Sequence, residues 1–249
     1  MNDEWWESPV CWLCDYWWAL LLAVVLALTG YFARSYWLPA PVDLCFSGDA
    51  SVPLREAIPP RWGDIDVVFA FDQSGSMGPI IEGAKAEAKE LMETIAARFW
   101  TERFGLMGFS DYVDFPYRLY QPLTNDYDAV QSAIDSLSLA DGGDAPESYG
   151  RAMYESFADP DVGWDSDARR YLVIFGDSYP HDPDAGRDEI LGTDDDLRLD
   201  DVLTQMKAGD ITMIFVANPG VDSSLLSQWQ EWANTIAGTT ITCANTPGR

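Results

Sequence analysis

The chain has 249 residues, of which 47% are apolar, so it can fill the core of one main domain and leaves room for an appendage rather than a second average domain. It contains 41 acidic and 15 basic residues, which gives a net charge of −26. Nucleic acids and anionic lipid surfaces would repel such a chain at ordinary salt. The composition therefore argues against nucleic-acid binding and favours cations or cation-bridged partners.

An apolar segment near the N-terminus predicts a membrane span. Residues 16–33 carry no charge, aromatic side chains flank the run, and Arg34 can extend toward the interface. A cleaved signal peptide is disfavoured because no Lys or Arg precedes the run and no small-x-small site follows it. A buried globular helix is the other alternative. We divide the chain into an acidic segment (1–15), a transmembrane helix in the lipid bilayer (16–37), a linker (38–63) and a folded domain (64–245).

Within the predicted domain, apolar runs alternate with amphipathic stretches. The runs lie at 66–71, 104–110, 171–176, 211–217 and, more weakly, 239–244. The amphipathic stretches lie at 81–100, 128–137, 147–157, 199–209 and 223–238. The runs are too continuously apolar for a sheet with one wet face, so we expect central parallel strands. The alternation predicts a doubly wound α/β domain whose ligands bind outside the carboxyl ends of the strands.

Oxygen-bearing residues stand at alternate positions where the first strand ends, in the sequence DQSGSM. Asp72, Ser74 and Ser76 are expected on one side of an extended turn, and Gly75 lets the backbone bend between them. A carboxylate and two hydroxyls suit Mg²⁺, Mn²⁺ or Ca²⁺ and suit zinc poorly. The alternative is a Ser/Gly-rich turn in which Ser76 caps the following helix.

Two further loops are expected at the same edge of the sheet. The sequence GGDAPES offers Asp144, Glu147 and Ser148, and Asp177 directly follows the run at 171–176. Carboxylates that are crowded together repel one another and raise one another's pKa. A bound divalent cation would account for carboxylates at three neighbouring loops.

These motifs resemble those of the von Willebrand factor type A domains, whose metal-ion-dependent adhesion site combines a DxSxS loop with ligands from two further loops. The resemblance covers residues 64–245 and assigns Asp72, Ser74 and Ser76 to the first loop and Asp177 to the third. It implies that each serine coordinates the ion directly and that each aspartate does so directly or through water.

The second loop departs from the commonest family pattern because it has no threonine. GGDAPES is similar instead to the GGDxPE form of integrin β-like and hemicentin-like members. This likeness implies that Glu147 takes the place of the threonine, with Asp144 as an alternative or outer ligand. An acidic ligand would hold the ion more tightly and weaken its attraction for an incoming carboxylate.

The resemblance implies binding rather than catalysis. Mg²⁺, or else Mn²⁺ or Ca²⁺, would keep one position open, and an Asp or Glu carboxylate of a protein partner would complete its coordination. We therefore expect a membrane-anchored adhesion or assembly module. The alternatives are a regulatory subunit of a motor-ATPase or chaperone-type complex and, less favoured, a metal-dependent hydrolase. The single histidine, His181, is expected to bond Asp182 or the backbone rather than to transfer protons.

The same resemblance bears on location, because members of the family place their domain termini together. This arrangement implies a disulfide between Cys45 and Cys243, and a disulfide persists only in an oxidising, extracytoplasmic compartment. Two unrelated thiols are the alternative. Arg34, on the C-terminal side of the predicted span, favours the opposite orientation.

An acidic run at 184–201 lies beyond the third loop. It could bind a second calcium ion through Asp194, Asp195 and Asp196. The spacing lacks the glycine turn and distal glutamate of a calcium loop, so we expect a solvated loop followed by a helix start.

Overall fold

A computed structural model describes residues 63–97, 99, 101–143, 145–217, 221–236 and 238–242. The predicted acidic segment, the predicted transmembrane helix and all but the last residue of the predicted linker lie outside these residues, as do Cys45, Asp144 and Cys243. Among the described helices, none has the length and apolar character needed to cross a bilayer.

The described strands form one six-stranded sheet with the order β3-β2-β1-β4-β5-β6. They are β1 (Ile65–Asp72), β2 (Glu102–Phe109), β3 (Arg118–Thr124), β4 (Arg169–Gly176), β5 (Ile211–Ala217) and β6 (Thr239–Thr242). β2 and β3 are antiparallel and all other neighbours are parallel. The predicted α/β domain with a mostly parallel sheet is confirmed.

Helices cover both faces of this sheet. They are α1 (Ile81–Ala96), α2 (Tyr127–Ser136), α3 (Tyr149–Ala158), α4 (Leu199–Ala208) and α5 (Ser223–Thr235). Alternate β1 residues such as Phe69 pack with α1 and α2 on one face. The residues between them, such as Val68, pack with α3, α4 and α5 on the other. Because both faces are covered, every residue of β1 is buried, which explains its apolar run from Val67 to Phe71.

β3 is the strand that the sequence pattern did not predict. It lies at the edge of the sheet, and only Leu123 of its seven residues is buried. Pro122 interrupts its ladder, as is tolerated in edge strands. A half-exposed edge strand has no continuous apolar run, so the periodicity gave no signal there. The helix expected to reach residue 100 ends at Ala96.

The antiparallel β3 also positions the second predicted loop. Because β3 runs opposite to its neighbours, α2 starts at the amino edge of the parallel strands and returns the chain to their carboxyl edge. The described residues between Leu137 and Ser148 therefore lie beside the ends of β1 and β4, where Ala140 N donates to Gln73 O at 2.7 Å and Glu147 N donates to Tyr179 O at 2.8 Å.

Candidate metal centre

A cleft of about 290 Å³ opens at the carboxyl edge of the sheet. It is lined by Gly75, Ser76, Asp141, Gly143, Ala145, Glu147, Asp177 and Ser178. These residues come from the loops that follow β1 and β4 and from the loop that precedes α3. The edge predicted for ligand binding thus contains a cleft to which all three predicted loops contribute.

The loop after β1 connects its own oxygens to the loop after β4. Asp72 is buried, and its Oδ1 accepts from Ser74 N at 2.8 Å. Ser74 Oγ lies 3.0 Å from Ser76 Oγ, which donates to Asp177 Oδ1 at 2.9 Å. The structure therefore brings together the four residues predicted from the first and third loops.

The helix-capping alternative for Ser76 is wrong. Ser76 lies within a one-turn 3₁₀ helix (Gly75–Met77), whereas α1 begins at Ile81 after the N-cap residue Ile80. The hydroxyl of Ser76 contacts Ser74 and Asp177 instead, at the cleft.

Glu147 brings the second loop to the same place. Its main chain is fixed by two bonds, from its N to Tyr179 O at 2.8 Å and from His181 N to its O at 3.0 Å. The residue is 5% exposed, lines the cleft, and has no hydrogen-bond partner for Oε2. Asp144, the alternative ligand in this loop, lies outside the described residues.

A glycine is required where the second loop crosses the first. Gly142 has a φ of 76°, in the left-handed region that favours glycine. A methyl group on it would lie 2.7 Å from Ser74 Cβ and 3.2 Å from Glu147 Oε1. The absence of a side chain at Gly142 therefore allows Ser74 and Glu147 to approach each other.

The carboxylates of the cleft destabilise one another's charged forms. Burial is the main cause that raises the pKa of Asp72 to about 6, and the charge of Asp177 adds to it. Burial also raises the pKa of Glu147 to about 9, with repulsion from Asp72, Asp111 and Asp177 as further causes. Among the residues that the structure describes, no Lys, Arg or His side chain lines the cleft to offset this charge.

The donor set fits a divalent cation that prefers oxygen. Among the described residues, no three His, Cys, Asp or Glu side chains are close enough to hold a metal by themselves. The hydroxyls of Ser74 and Ser76 are therefore needed beside the carboxylates. Hydroxyl and carboxylate oxygens suit Mg²⁺, Mn²⁺ or Ca²⁺, and the unpartnered Oε2 of Glu147 offers a ligand atom.

Tyr149, the first residue of α3, is a residue of this centre that the sequence analysis missed. Its buried hydroxyl donates to Asp72 Oδ2 and accepts from Asp177 N at 3.0 Å and Ser178 N at 3.1 Å. A methyl group on Gly176 would overlap the Tyr149 ring, so this glycine makes room for it. In the sequence, the feature that could have pointed to this packing is a glycine, Gly176, at the end of a buried strand.

Asp111 is the second missed residue. It follows β2 after one serine, is 5% exposed, and places its Oδ1 2.9 Å from His181 Nε2. Of the two partners expected for His181, the backbone is observed, because His181 N donates to Glu147 O at 3.0 Å, whereas Asp182 Oδ1 accepts from Leu199 N at 3.1 Å. Asp111 follows an apolar run much as Asp72 and Asp177 do, and that spacing could have identified it.

The acidic run after the third loop forms a closed loop that bonds its own backbone. Asp184 and Leu197 exchange two backbone hydrogen bonds of 2.8 Å each. Asp195 Oδ2 accepts from Arg187 N at 2.8 Å and Asp188 N at 3.1 Å, and its pKa is lowered, first by the hydroxyl of Thr193. These carboxylates act as caps for loop amides, in agreement with the expected solvated loop.

Comparison with known proteins relates the chain to one family. Residues 66–241, well over half of the chain, match the von Willebrand factor type A domain. No curated protein matches the chain.

Two solved structures are similar in fold. One is an aerotolerance-related membrane protein from Bacteroides fragilis NCTC 9343 that carries multiple mutations to serine. It is 18% identical, the match covers 73% of this chain and 92% of that chain, and the TM-score is 0.49. The other is the conserved hypothetical protein BatB from Bacteroides thetaiotaomicron, with 17% identity, 73% and 91% coverage, and a TM-score of 0.49. On the match over residues 66–241, the chain belongs to the von Willebrand factor type A domain family.

Proposed function

We propose that this protein is a membrane-anchored, metal-dependent module that binds another protein for adhesion or assembly. The observation that carries the proposal is the buried, unpartnered Oε2 of Glu147 beside the paired hydroxyls of Ser74 and Ser76 in an open cleft. A divalent cation bound there would supply a Lewis-acidic position for a carboxylate of the partner.

The residues of the three loops have separate roles in this proposal. Ser74 and Ser76 would hold the ion directly, and Asp72 and Asp177 would hold it directly or through water. Tyr149 would keep Asp72 and the backbone of Asp177 in a fixed relation, because its hydroxyl bonds both. Mg²⁺ is the proposed ion, with Mn²⁺ or Ca²⁺ as substitutes.

The second loop would take the GGDxPE form, with Glu147 as its ligand and Asp144 as the alternative or outer ligand. Support comes from the position of Glu147, whose carboxyl group faces Gly142 and the cleft. An anionic ligand adds charge to the site, so the ion would be held tightly and its attraction for a partner carboxylate would be moderate.

The proposed membrane topology rests on the sequence alone. Residues 16–37 would cross the bilayer, and a disulfide between Cys45 and Cys243 would place the domain outside the cytoplasm. Labelling intact cells with a membrane-impermeant thiol reagent, with and without prior reduction, tests both points. Labelling of Cys45 and Cys243 only after reduction is the expected result, whereas free thiols at these two positions that are reached only after lysis would favour the intracellular regulatory-subunit alternative.

Calorimetry on the full chain in detergent tests the metal site. We expect saturable heat with Mg²⁺ or Mn²⁺ that is lost in the double variant Ser74→Ala/Ser76→Ala. The matched control is Ser136→Ala/Ser227→Ala, because both of these serines are exposed on helices and bond helix carbonyls. If the first double variant binds the ions as wild type does, the site is wrong.

Capture of a partner from native membranes tests the binding function. The same Ser74/Ser76 variant and EDTA should each abolish capture, and restored Mg²⁺ should reverse the effect of EDTA. Capture that ignores both treatments would exclude a metal-mediated contact. Metal-dependent phosphatase activity that is lost in the variant would replace the binding function with the hydrolase alternative.

A further inference from the structure

Exposed apolar side chains lie on loops at the edge of the sheet where the cleft opens. Among the described residues, five large hydrophobic side chains are exposed, and three of them lie on loops at this edge of the sheet. Val113 follows β2 and is 70% exposed, Leu139 precedes α3 and is 41% exposed, and Tyr179 follows β4 and is 39% exposed. We call Val113, Leu139 and Tyr179 the apolar rim.

Each rim residue is tied to the wall of the cleft. A methyl group on Gly143, which lines the cleft, would lie 3.2 Å from Val113 Cγ2. Leu139 precedes Ala140, whose N donates to Gln73 O in the first loop. Tyr179 adjoins Ser178 of the lining, and its hydroxyl lies 3.3 Å from Ser224 Oγ. The three rim residues therefore come from three different loops at the edge of the sheet where the cleft opens.

The charge of the cleft restricts what can bind between these side chains. Its lining includes Asp141, Glu147 and Asp177 and, over the ranges that the structure describes, contains no cationic side chain. Only the cation could attract a carboxylate into this cleft, and one ion cannot offset several incoming carboxylates. A ligand with one carboxylate and uncharged neighbours meets the least repulsion. The apolar rim in turn offers contact area that would favour apolar neighbours.

We propose that the partner presents one carboxylate in a polypeptide segment with apolar side chains on both sides, and that these side chains pack on the apolar rim. This inference rests on the proposed function, because the cation positions the carboxylate. The carboxylate provides the metal dependence and the flanking side chains provide selectivity among carboxylate-bearing segments. Anionic lipid is a poor alternative occupant, since the net charge of −26 repels it.

Fluorescent peptides test the proposal with the full chain in phosphatidylcholine nanodiscs and saturating Mn²⁺. The peptides share a neutral polar background and differ in a central Leu-Asp-Leu, Ala-Asp-Ala, Asp-Asp-Asp or Leu-Asn-Leu. Measured by anisotropy, Leu-Asp-Leu should bind about tenfold more tightly than Ala-Asp-Ala, which is the effect of partly burying two leucines. Asp-Asp-Asp should bind more weakly than Ala-Asp-Ala, Leu-Asn-Leu should not bind, and empty nanodiscs should bind none of them.

Variants of the rim separate this proposal from the metal site. Val113→Ser/Leu139→Ser/Tyr179→Ser should lower the affinity for Leu-Asp-Leu to that for Ala-Asp-Ala, which should itself stay unchanged. Ile190→Ser/Leu191→Ser is the matched control, because these side chains are 60% and 63% exposed on the acidic loop and should leave all affinities as they are. All five positions are exposed, so circular dichroism should report an intact fold.

The outcomes distinguish a failure of the apolar rim from a failure of the proposed metal-dependent function. The apolar rim would be overturned as a docking surface by equal affinities for Leu-Asp-Leu and Ala-Asp-Ala, or by tight binding of Leu-Asn-Leu or of empty nanodiscs. It would also be overturned if the rim variant bound Leu-Asp-Leu as tightly as wild type does. Saturable metal binding without binding of any peptide would overturn it too. Loss of metal binding itself, seen by calorimetry, would overturn the proposed function instead.

Discussion

The domain buries two glutamates close together in the sequence, and their surroundings are opposite. Glu155 on α3 is 2% exposed and accepts from Arg151 at 2.7 Å and from Arg187 at 2.9 and 2.6 Å. Glu147 is 5% exposed but faces the carboxylates of Asp72 and Asp177, with one oxygen unpartnered. Within the described part of the chain, arginines neutralise Glu155, whereas no cationic side chain lines the cleft.

This difference shows how an acidic protein can reveal a cation site. Acidic residues are frequent throughout the chain, so their number does not identify one. What distinguishes the cleft is that burial raises the pKa of Asp72 and Glu147, while no arginine or lysine among the described residues lines it. The predictions below test this contrast.

The largest expected effect is on the internally paired glutamate. Glu155→Gln removes the charge that compensates Arg151, which is 9% exposed, and should lower the free energy of unfolding by about 3–5 kcal/mol in urea denaturation at pH 7. Glu147→Gln, measured in EDTA, is the matched control and should not lower it. Equal losses in the two variants would show that the two environments are not opposite.

Removal of the hydroxyl that joins the loops should have the next largest effect. Tyr149→Phe leaves Asp72 Oδ2 and the amides of Asp177 and Ser178 without this partner, and should cost about 1–3 kcal/mol of stability. Calorimetry should also show weaker Mg²⁺ binding. Tyr154→Phe, whose ring packs on Phe157 in the same helix, should leave Mg²⁺ binding unchanged.

The pH dependence of the metal-free protein should separate wild type from Glu147→Gln. The unfolded chain ionises Glu147 near its ordinary pKa of 4.5, whereas the folded chain does so near 9. Folding therefore takes up a proton between these values, and the contribution of this group to stability falls as the pH rises through that window. In EDTA, the Tm of wild type should fall more between pH 5 and pH 8 than that of the variant.

Added Mg²⁺ should reduce this difference in wild type, because the ion stabilises the ionised carboxylate. Parallel profiles of Tm against pH for the two proteins in EDTA would show that Glu147 is ionised in the folded, metal-free protein. In that case the charge environments of Glu147 and Glu155 would not differ as described.

The smallest effect is expected in the acidic loop. Asp195→Ala removes the acceptor for the amides of Arg187 and Asp188, so those amides should exchange faster with deuterium. Affinity for Mg²⁺ should match that of wild type, because Asp195 caps loop amides instead of facing the cleft. A reduced Mg²⁺ affinity would place the acidic loop in the metal site.

The residues at the strand ends were the part of the candidate site that the sequence predicted best. The runs before Asp72 and Asp177 are buried on both faces and therefore easy to recognise, and the carboxyl edge follows from the alternation of strands and helices. The structure brings Glu147 to the same edge, and its role as a metal ligand stays a prediction. β3 was not predicted because this edge strand has neither a continuous nor an alternating pattern of apolar residues.

The role of Tyr149 and the contact that Asp111 makes could not be predicted in the same way. A tyrosine at a helix start has many uses, and only the structure shows that its ring packs against Gly176 and that its hydroxyl reaches both the end of β1 and the loop after β4. Asp111 belongs to a strand end next to β1, but its pairing with His181 depends on a contact between distant loops. Such side-chain contacts depend on the three-dimensional path of the loops, which periodicity does not determine.

The position of β1 and β4 in the sheet has a mechanical consequence. A tethered partner bound at the cleft would pull on Asp72 and Asp177, which lie at the ends of these two strands. The strands are parallel neighbours at the middle of the sheet, paired from Ile65 to Phe71. Tension along their axes would be shared by many hydrogen bonds in shear, whereas a force on an edge strand would open its bonds one after another. The domain would thus resist force best along the direction in which its ligand is held.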